Sequence, residues 1–187
     1  MCLPGSGARV TLQAMRLERS VRGAAAGAVA AAVWAAQEPL DKRVFDVDYS
    51  DVELLGKAVT RGDEWPAVGL AIHIANGAAF GAAYALGKPF IPGPSIGRAV
   101  IAAMAENFGT WPLIGVAERI HPARRDLPRL AGNPRALAQA TWRHFLFGAV
   151  LGVLEERLNE GLRVDVPEVP VSSNGHGDIE LAVGAAT

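Results

Sequence analysis

The sequence predicts an all-α protein: a four-helix transmembrane bundle with a short amphipathic helix in its first loop and disordered termini. Half of the 187 residues are apolar, and they gather into four stretches separated by charged segments. Three of these stretches contain a Gly-x-x-x-Gly pair, which in an apolar helix puts both glycines on the face that a second helix can approach closely. The expected helix-packing residues are Gly23, Gly27, Gly77, Gly81, Gly148 and Gly152.

The length of the chain is that of one domain, and we expect a flanking segment on each side of it. Residues 1–20 contain arginines with little apolar pattern and are predicted to be a loose leader. Residues 21–160 are predicted to form the helical membrane domain. Residues 161–187, with two prolines and a Ser-Ser-Asn-Gly run, are predicted to be a disordered tail.

The first apolar stretch predicts a helix over residues 21–37. It consists mainly of Ala and Gly, and its apolar part is about 24 Å long at ~1.5 Å per residue, which is shorter than the hydrocarbon core of ~30 Å. A signal peptide is the rival interpretation. The stretch lacks a Leu-rich centre and ends in Trp34 and Gln37-Glu38-Pro39, which favours a helix that is kept in the protein.

The segment from Gln37 to Pro66 is polar and acidic. Within it, Ser50-Asp51 followed by apolar residues at helical spacing predicts a short amphipathic helix with a cap. This helix would lie along the membrane surface or cover one end of the bundle.

The second apolar stretch, Ala67 to Leu86, is the best candidate span in the chain. Its twenty residues include a single ionisable side chain, His73, and the length suits a membrane crossing. It predicts a helix over 67–87, followed by a turn rich in Gly and Pro.

The third and last helices are predicted over 96–118 and 134–158. The third is interrupted by Glu106-Asn107 and is expected to kink at Pro112, whereas Asn133-Pro134 has the form of a cap and a first helical position. If all four helices cross, Lys and Arg are divided almost evenly between the two sides, so the positive-inside rule gives no orientation. A re-entrant or interfacial first helix would give a clear bias, and this alternative stays open.

Polar residues inside the apolar stretches are the candidates for a functional site, because ionisable groups at membrane depth are costly and usually face the interior of a bundle. His73 and Asn76 share one helical face, as do Glu106 and Thr110. We expect His73, Glu106 and His144 to converge and to form a proton-accepting or metal-binding site. The full candidate set is His73, Asn76, Glu106, Asn107, Thr110, Arg143 and His144.

A structural role for the same residues is the competing interpretation. His73 and Asn76 can hydrogen-bond Glu106 or Asn107 across a helix interface and thereby fix only the packing. Arg143 can pair with Glu106 or extend to the membrane interface. The variant Glu106→Gln, examined for metal content and pH response, would separate the two interpretations.

Several classes of function find no support in the sequence. Walker A, dinucleotide-binding, His-Glu-x-x-His and Gly-x-Ser-x-Gly motifs are absent, so we expect neither catalysis nor a cofactor. A net charge of −1 provides no basic field for nucleic acid. The single cysteine, Cys2, offers neither a disulfide nor a Cys-based metal site.

The end of the first helix, Trp34-Ala35-Ala36-Gln37-Glu38-Pro39-Leu40, resembles the corresponding stretch of YagU-like bacterial inner-membrane proteins. The layout is similar too, with a Gly/Ala-rich first helix, a polar loop, a third helix containing Trp111-Pro112-Leu113 and a charged end to the last helix. The acidic loop and the Arg-rich connector do not match. The resemblance implies a multi-pass protein of the inner (plasma) membrane, and it carries over no catalytic residue.

The predicted function is therefore that of a small polytopic membrane protein without catalysis, in contact with the lipid bilayer and with a structural or partner-binding role. The partner would be a second copy of the chain or a larger membrane protein. One alternative is a small transporter or channel subunit that uses His73 and Glu106. Another is a soluble Ala-rich helical bundle.

Overall fold

A computed structural model describes residues 6–162 of the chain, with side chains from residue 13 onward, and within this range it contains no β-strand. Six α-helices follow one another there: α1 Ser6–Phe45, α2 Asp51–Val59, α3 Trp65–Gly87, α4 Ser95–Thr110, α5 Ile114–Ile120 and α6 Pro134–Asn159. Short 3₁₀ turns follow α3, join α4 to α5 and follow α6: Lys88–Phe90, Trp111–Leu113 and Glu160–Leu162. The predicted all-α class is confirmed.

The four long helices pack in the order α3, α1, α6, α4. Helix α1 contacts both α3 and α6, α6 also contacts α4, and neighbouring helices run antiparallel. Helices α3 and α4, at the two ends of this row, make few contacts with each other, one of which is the hydrogen bond from the Tyr84 hydroxyl to the Ser95 carbonyl oxygen at 3.1 Å. Helix α2 packs on the first half of α3. The gap between α3 and α4 is the feature from which the candidate site is built.

Helix α1 is longer than the predicted helix over 21–37 at both of its ends. The expected loose leader is helical from Ser6 onward, in a stretch where Arg22 pairs with Glu18 one turn earlier, an arrangement that supports a helix. At the other end the helix passes through Pro39 and continues to Phe45. Because it is continuous, α1 contains no re-entrant turn.

The remaining boundaries follow the local signals in the sequence. Ser50 caps α2, since its Oγ accepts a hydrogen bond from the Glu53 backbone N–H at 3.2 Å. Asn133 caps α6 by accepting from two backbone N–H groups. Pro112, where a kink was expected, lies in the 3₁₀ turn that divides the predicted third helix into α4 and α5. At Glu106-Asn107, where the apolar stretch is interrupted, the helix continues without a break. Of the predicted tail, residues 163–187 lie outside the described part of the chain.

Backbone-to-backbone contact joins α1 to α3. A Cβ atom added to Gly27 would lie 2.0 Å from the carbonyl oxygen of Gly77, and one added to Gly81 would lie 2.1 Å from that of Gly23. Such distances leave no room for a side chain, so the two Gly-x-x-x-Gly pairs face each other within one chain.

Two further contacts depend on glycine. In the α4–α6 contact, a Cβ atom on Gly148 would lie 2.8 Å from the Cα of Val100; Gly152 lies against Ile96 in the same way. The α2–α3 contact uses Gly69, whose added Cβ would lie 1.9 Å from the carbonyl oxygen of Val52. No Gly-x-x-x-Gly pair indicates this last contact in advance, because the residues four positions before and after Gly69 are Trp65 and His73.

Two segments of the described chain are long and apolar enough to cross a membrane: Trp65–Phe90 and Ser95–Ile120, of 26 residues each. Only 28 % and 17 % of their most apolar stretches are buried within the protein. Helices α1 and α6 do not reach the same threshold, so two candidate spans are present where four were predicted.

Candidate functional site

A cavity of about 320 Å³ lies between α3 and α4, with α1 and α6 behind it. This volume is at the lower end of the range of roughly 300–1,000 Å³ typical of small-molecule sites. Its walls are largely apolar, and residues of α2 and α5 close one end. The apolar and aromatic lining comprises Trp34, Tyr49, Leu54, Leu55, Phe80, Ala103, Trp111, Leu113, Ile114, Ala117, Ala140 and Phe147.

Six of the seven predicted polar site residues line this one cavity: His73, Asn76, Glu106, Asn107, Thr110 and His144. Helical spacing explains the result, because residues three and four apart on a helix lie on the same face. The cavity is therefore lined by polar side chains from one face each of α3, α4 and α6. The seventh residue, Arg143, faces a different neighbourhood.

The pair formed by His144 and Glu106 joins α6 to α4 across the cavity wall. The Nε2 atom of His144 lies 2.7 Å from Oε2 of Glu106, and its Nδ1 lies 2.7 Å from the carbonyl oxygen of Ala140. A carbonyl oxygen only accepts, so Nδ1 carries a proton. A second proton must lie between Nε2 and the carboxyl group, because two lone pairs would repel each other at this distance.

His73 is in a different state from His144. It is buried, it hydrogen-bonds the backbone of Ala31 in α1, and its Nε2 atom has no hydrogen-bond partner. Its ring meets that of Trp34 edge-on, with 5.3 Å between the centroids. The hydrogen bonds expected from His73 to Glu106 or Asn107 are not formed.

His121 offers a useful contrast, because it lies outside the cavity and both of its nitrogens are satisfied. Its Nε2 lies 2.9 Å from the carbonyl oxygen of Leu54, and its Nδ1 accepts from the Ala123 backbone N–H at 3.0 Å. This histidine is a neutral structural residue. Of the two cavity histidines, His144 binds a carboxylate through Nε2, and His73 leaves Nε2 without a partner in the described part of the chain.

Asn107 makes a hydrogen bond across a helix interface, as in the competing structural interpretation, whereas Thr110 bonds within α4. The Asn107 amide donates to the Thr141 hydroxyl at 3.1 Å, and the Thr110 hydroxyl donates to the carbonyl oxygen of Glu106 at 2.8 Å. Asn76 is exposed at the mouth of the cavity.

Arg143 is fully buried and binds carboxylates of the segment that follows Trp34. It donates to both oxygens of Asp41, at 2.6 and 2.7 Å, and to Asp51 at 2.9 Å. It also donates to the carbonyl oxygen of Tyr49 at 2.9 Å. The expectation that Arg143 pairs with Glu106 or extends to the interface is therefore wrong, because its partners lie in what was predicted to be a polar loop.

The cluster around Arg143 contains a third carboxylate, Glu38, which accepts from the Ser50 hydroxyl at 2.6 Å. Burial, with a smaller contribution from the neighbouring Asp51 carboxylate, raises the pKa of Glu38 above its ordinary value of 4.5. Trp34 donates from Nε1 to Asp51 at 3.1 Å, and Asp51 also lines the cavity. The cluster around Arg143 thus lies beside one end of the cavity, and Asp51 is the carboxylate that connects the two.

A second buried ion pair lies at the opposite end of the helices. Lys88 binds Glu155 at 2.6 Å, and Glu155 is 1 % exposed. Neither residue lines the cavity between α3 and α4.

A metal site is not supported by this geometry. In the part of the chain that the structure describes, no three His, Cys, Asp or Glu side chains are grouped so that they could hold a metal ion. The hypothesis that His73, Glu106 and His144 bind a metal ion is therefore wrong. The alternative hypothesis, a proton-accepting site, is supported by the contact between His144 and Glu106.

No protein-family model, no curated protein and no solved structure matches this chain. The resemblance to YagU-like proteins stays a prediction from the residues. The function must therefore be argued from the geometry.

Proposed function

We propose that this chain is a small multi-pass protein of the inner membrane that performs no catalysis and binds a small molecule in the cavity between α3 and α4. The observation that supports this best is the distribution of apolar and polar side chains, which is the reverse of that in a water-soluble bundle.

Large apolar side chains on the long helices face outward. Leu70 is 40 % exposed, Ile101 48 %, Phe108 54 % and Phe145 48 %. The buried interior is polar by comparison, since four of the five largest fully buried side chains are Arg143, Gln139, Glu155 and Asn107. A soluble helix turns its apolar stripe toward the core, so this arrangement favours a lipid environment over the alternative of a soluble Ala-rich bundle.

Four crossings are proposed, although within residues 6–162 only α3, and α4 together with α5, are apolar enough to qualify alone. Helix α1 lies along α3 at Gly23 and Gly27, and α6 lies along α4 at Gly148. Because each of these less apolar helices is packed on a more apolar one, it would cross the bilayer as part of a pair. The same contact argues against removal of α1 as a signal peptide.

Self-association, or association with a larger membrane protein, remains part of the proposal. The predicted packing glycines lie at contacts within the chain, so a partner would bind elsewhere. Exposed apolar residues of α4 and α6 such as Phe108 and Phe145 are available for that contact.

A transporter or channel subunit is the second candidate function. It is favoured by one observation, that His73 and Glu106 line the same cavity. Proton or cation flux across liposomes that contain the purified protein would support this role, and binding without flux would favour the non-transporting role.

Membrane fractionation tests the proposal. The full chain is expressed, and the membranes are washed with sodium carbonate. The chain is expected in the washed pellet and to require detergent for extraction. Recovery in the carbonate supernatant would contradict the membrane assignment and favour the soluble bundle.

A further inference from the structure

Building on this proposed function, we infer that the α3–α4 cavity binds a lipophilic organic cation, a protonated amine on an apolar body, in exchange for the proton held between His144 and Glu106.

The apolar body of the ligand is indicated by the walls of the cavity. Phe80 and Phe147 meet edge-on behind it, with 5.4 Å between ring centroids, and Trp34 and Trp111 add aromatic surface. Aromatic faces attract organic cations through their negative electrostatic potential. A ligand of this kind reaches the cavity from the lipid phase, because the cavity lies between the two most apolar helices.

The positive charge of the ligand is indicated by the groups that surround the cavity. Two carboxylates line the cavity, Asp51 of α2 and Glu106 of α4, and Tyr49 contributes a neutral hydroxyl. The carboxyl groups of Glu38 and Asp41 of α1 lie behind them in the cluster around Arg143. Positive charge comes from Arg143, which is already bound to carboxylates, and from His144 when it is protonated. Carboxylates outnumber permanent cations, so the local field favours a cation and disfavours an anion.

The hydrogen-bonding groups of the cavity also fit an ammonium. His73 bonds the Ala31 backbone through one ring nitrogen, so the other, Nε2, is left as an acceptor in the neutral ring. The Glu106 carboxylate accepts through both of its oxygens, of which Oε2 is bound to His144 in the empty cavity. An ammonium group carries only donors, whereas a ligand carboxylate would add another acceptor.

Binding is coupled to release of a proton. In the empty cavity a proton holds His144 Nε2 to Glu106 Oε2. When the ammonium takes that place at Glu106, the proton leaves His144 for the solvent, and the ring keeps its Nδ1 proton on the Ala140 carbonyl. Glu106 is 43 % exposed, so the proton has a route out, and the net charge of the cavity is unchanged by the exchange.

The experiment uses the full chain in phosphatidylcholine nanodiscs and three matched probes: 4-phenylbutylamine, 4-phenylbutan-1-ol and 4-phenylbutyrate. Equilibrium dialysis measures binding, and empty nanodiscs correct for partition into lipid. We expect the amine to bind at least about tenfold more tightly than the alcohol or the acid. We expect its affinity to rise with pH by at most about tenfold per pH unit, because one proton is released for each amine bound.

Matched variants identify the groups involved. Glu106→Gln should weaken amine binding at least about tenfold and remove its pH dependence, while His144→Asn should retain binding and lose the pH dependence. Asp63→Asn, which removes an exposed carboxylate from the loop before α3, should behave as the unmodified chain does.

Three results would overturn the inference: equal binding of the amine and the acid, unchanged amine binding in Glu106→Gln, or amine binding that does not vary with pH. Each sample is first tested by carbonate washing. A chain that stays in the membrane but shows any of these results refutes the cation site alone, whereas a chain that is released by carbonate refutes the membrane proposal.

Discussion

The contact between α1 and α3 and the gap between α3 and α4 use the same helix in opposite ways. Toward α1, α3 presents Gly77 and Gly81, and the two backbones touch. Toward the gap, Asn76 and Phe80 of the same helix line a cavity of about 320 Å³. The difference shows that residue size decides where this bundle closes and where it stays open, because glycines allow close packing and larger side chains hold helices apart.

The largest expected loss of stability comes from substitution of Arg143, whose hydrogen bonds join α6 to α1. Arg143→Gln leaves buried carboxylates without their cation, and removal of one partner of a buried pair typically costs about 3–5 kcal/mol. We expect a loss of unfolding free energy of that size, measured by thermal unfolding in detergent followed by circular dichroism. A change below about 1 kcal/mol would show that the network is a surface-like ion pair.

The next largest effect is expected from a substitution in the close contact between α1 and α3. Gly27→Ala places a Cβ 2.0 Å from the Gly77 carbonyl oxygen, so the helices must move apart, at an expected cost of about 1–3 kcal/mol. The matched control is Gly109→Ala in α4, where an added Cβ meets nothing within 4 Å; there we expect no loss and a gain of up to about 1 kcal/mol. Equal Tm shifts in the two variants would contradict the packing account.

Two asparagines that line the cavity between α3 and α4 are expected to differ in their contribution to stability. Asn107 is 2 % exposed and binds Thr141, so Asn107→Ala should reduce the unfolding free energy by about 1–2 kcal/mol. Asn76 is exposed at the cavity mouth, so Asn76→Ala should change it by less than about 0.5 kcal/mol. Chemical denaturation of both variants in the same detergent checks the ranking, which a larger loss in Asn76→Ala would reverse.

The smallest effect concerns pH. Because burial raises the pKa of Glu38, its protonated form favours the folded state: the stability contribution is fully present below 4.5 and is lost as pH rises from there through the raised pKa. Glu38→Gln lacks this loss, so its Tm relative to the unmodified chain should increase with pH across that window. Parallel Tm curves for the two proteins would contradict the assignment.

The parts of this molecule that the sequence predicts well are governed by local signals. Asn133-Pro134 places the start of α6, Ser50 caps α2 and Pro112 divides the third helix, since caps and prolines act on their own neighbourhood. The grouping of His73, Glu106 and His144 around one cavity also follows from helical spacing, once the helices are placed.

The parts that the sequence does not predict depend on distant contacts. Pro39 disfavours a helix, yet α1 continues to Phe45, and Asp41 beyond the proline is anchored by Arg143 of α6. The role of Arg143 could not be predicted for the same reason, because its partners lie in a segment whose polarity indicates a loop. The spacing of Glu38 and Asp41, one helical turn apart, was the available signal of a shared face.

The central claim is that the outer faces of α3 and α4 contact lipid while the polar network and the cavity lie inside. Spin labels at Ile101→Cys and Phe108→Cys, in a Cys2→Ser background and in nanodiscs, test it most directly. We expect both labels to be relaxed by oxygen and shielded from a water-soluble nickel complex, unlike a label at Asp63→Cys in the loop. Nickel accessibility at Ile101 and Phe108 equal to that at Asp63 would contradict the account.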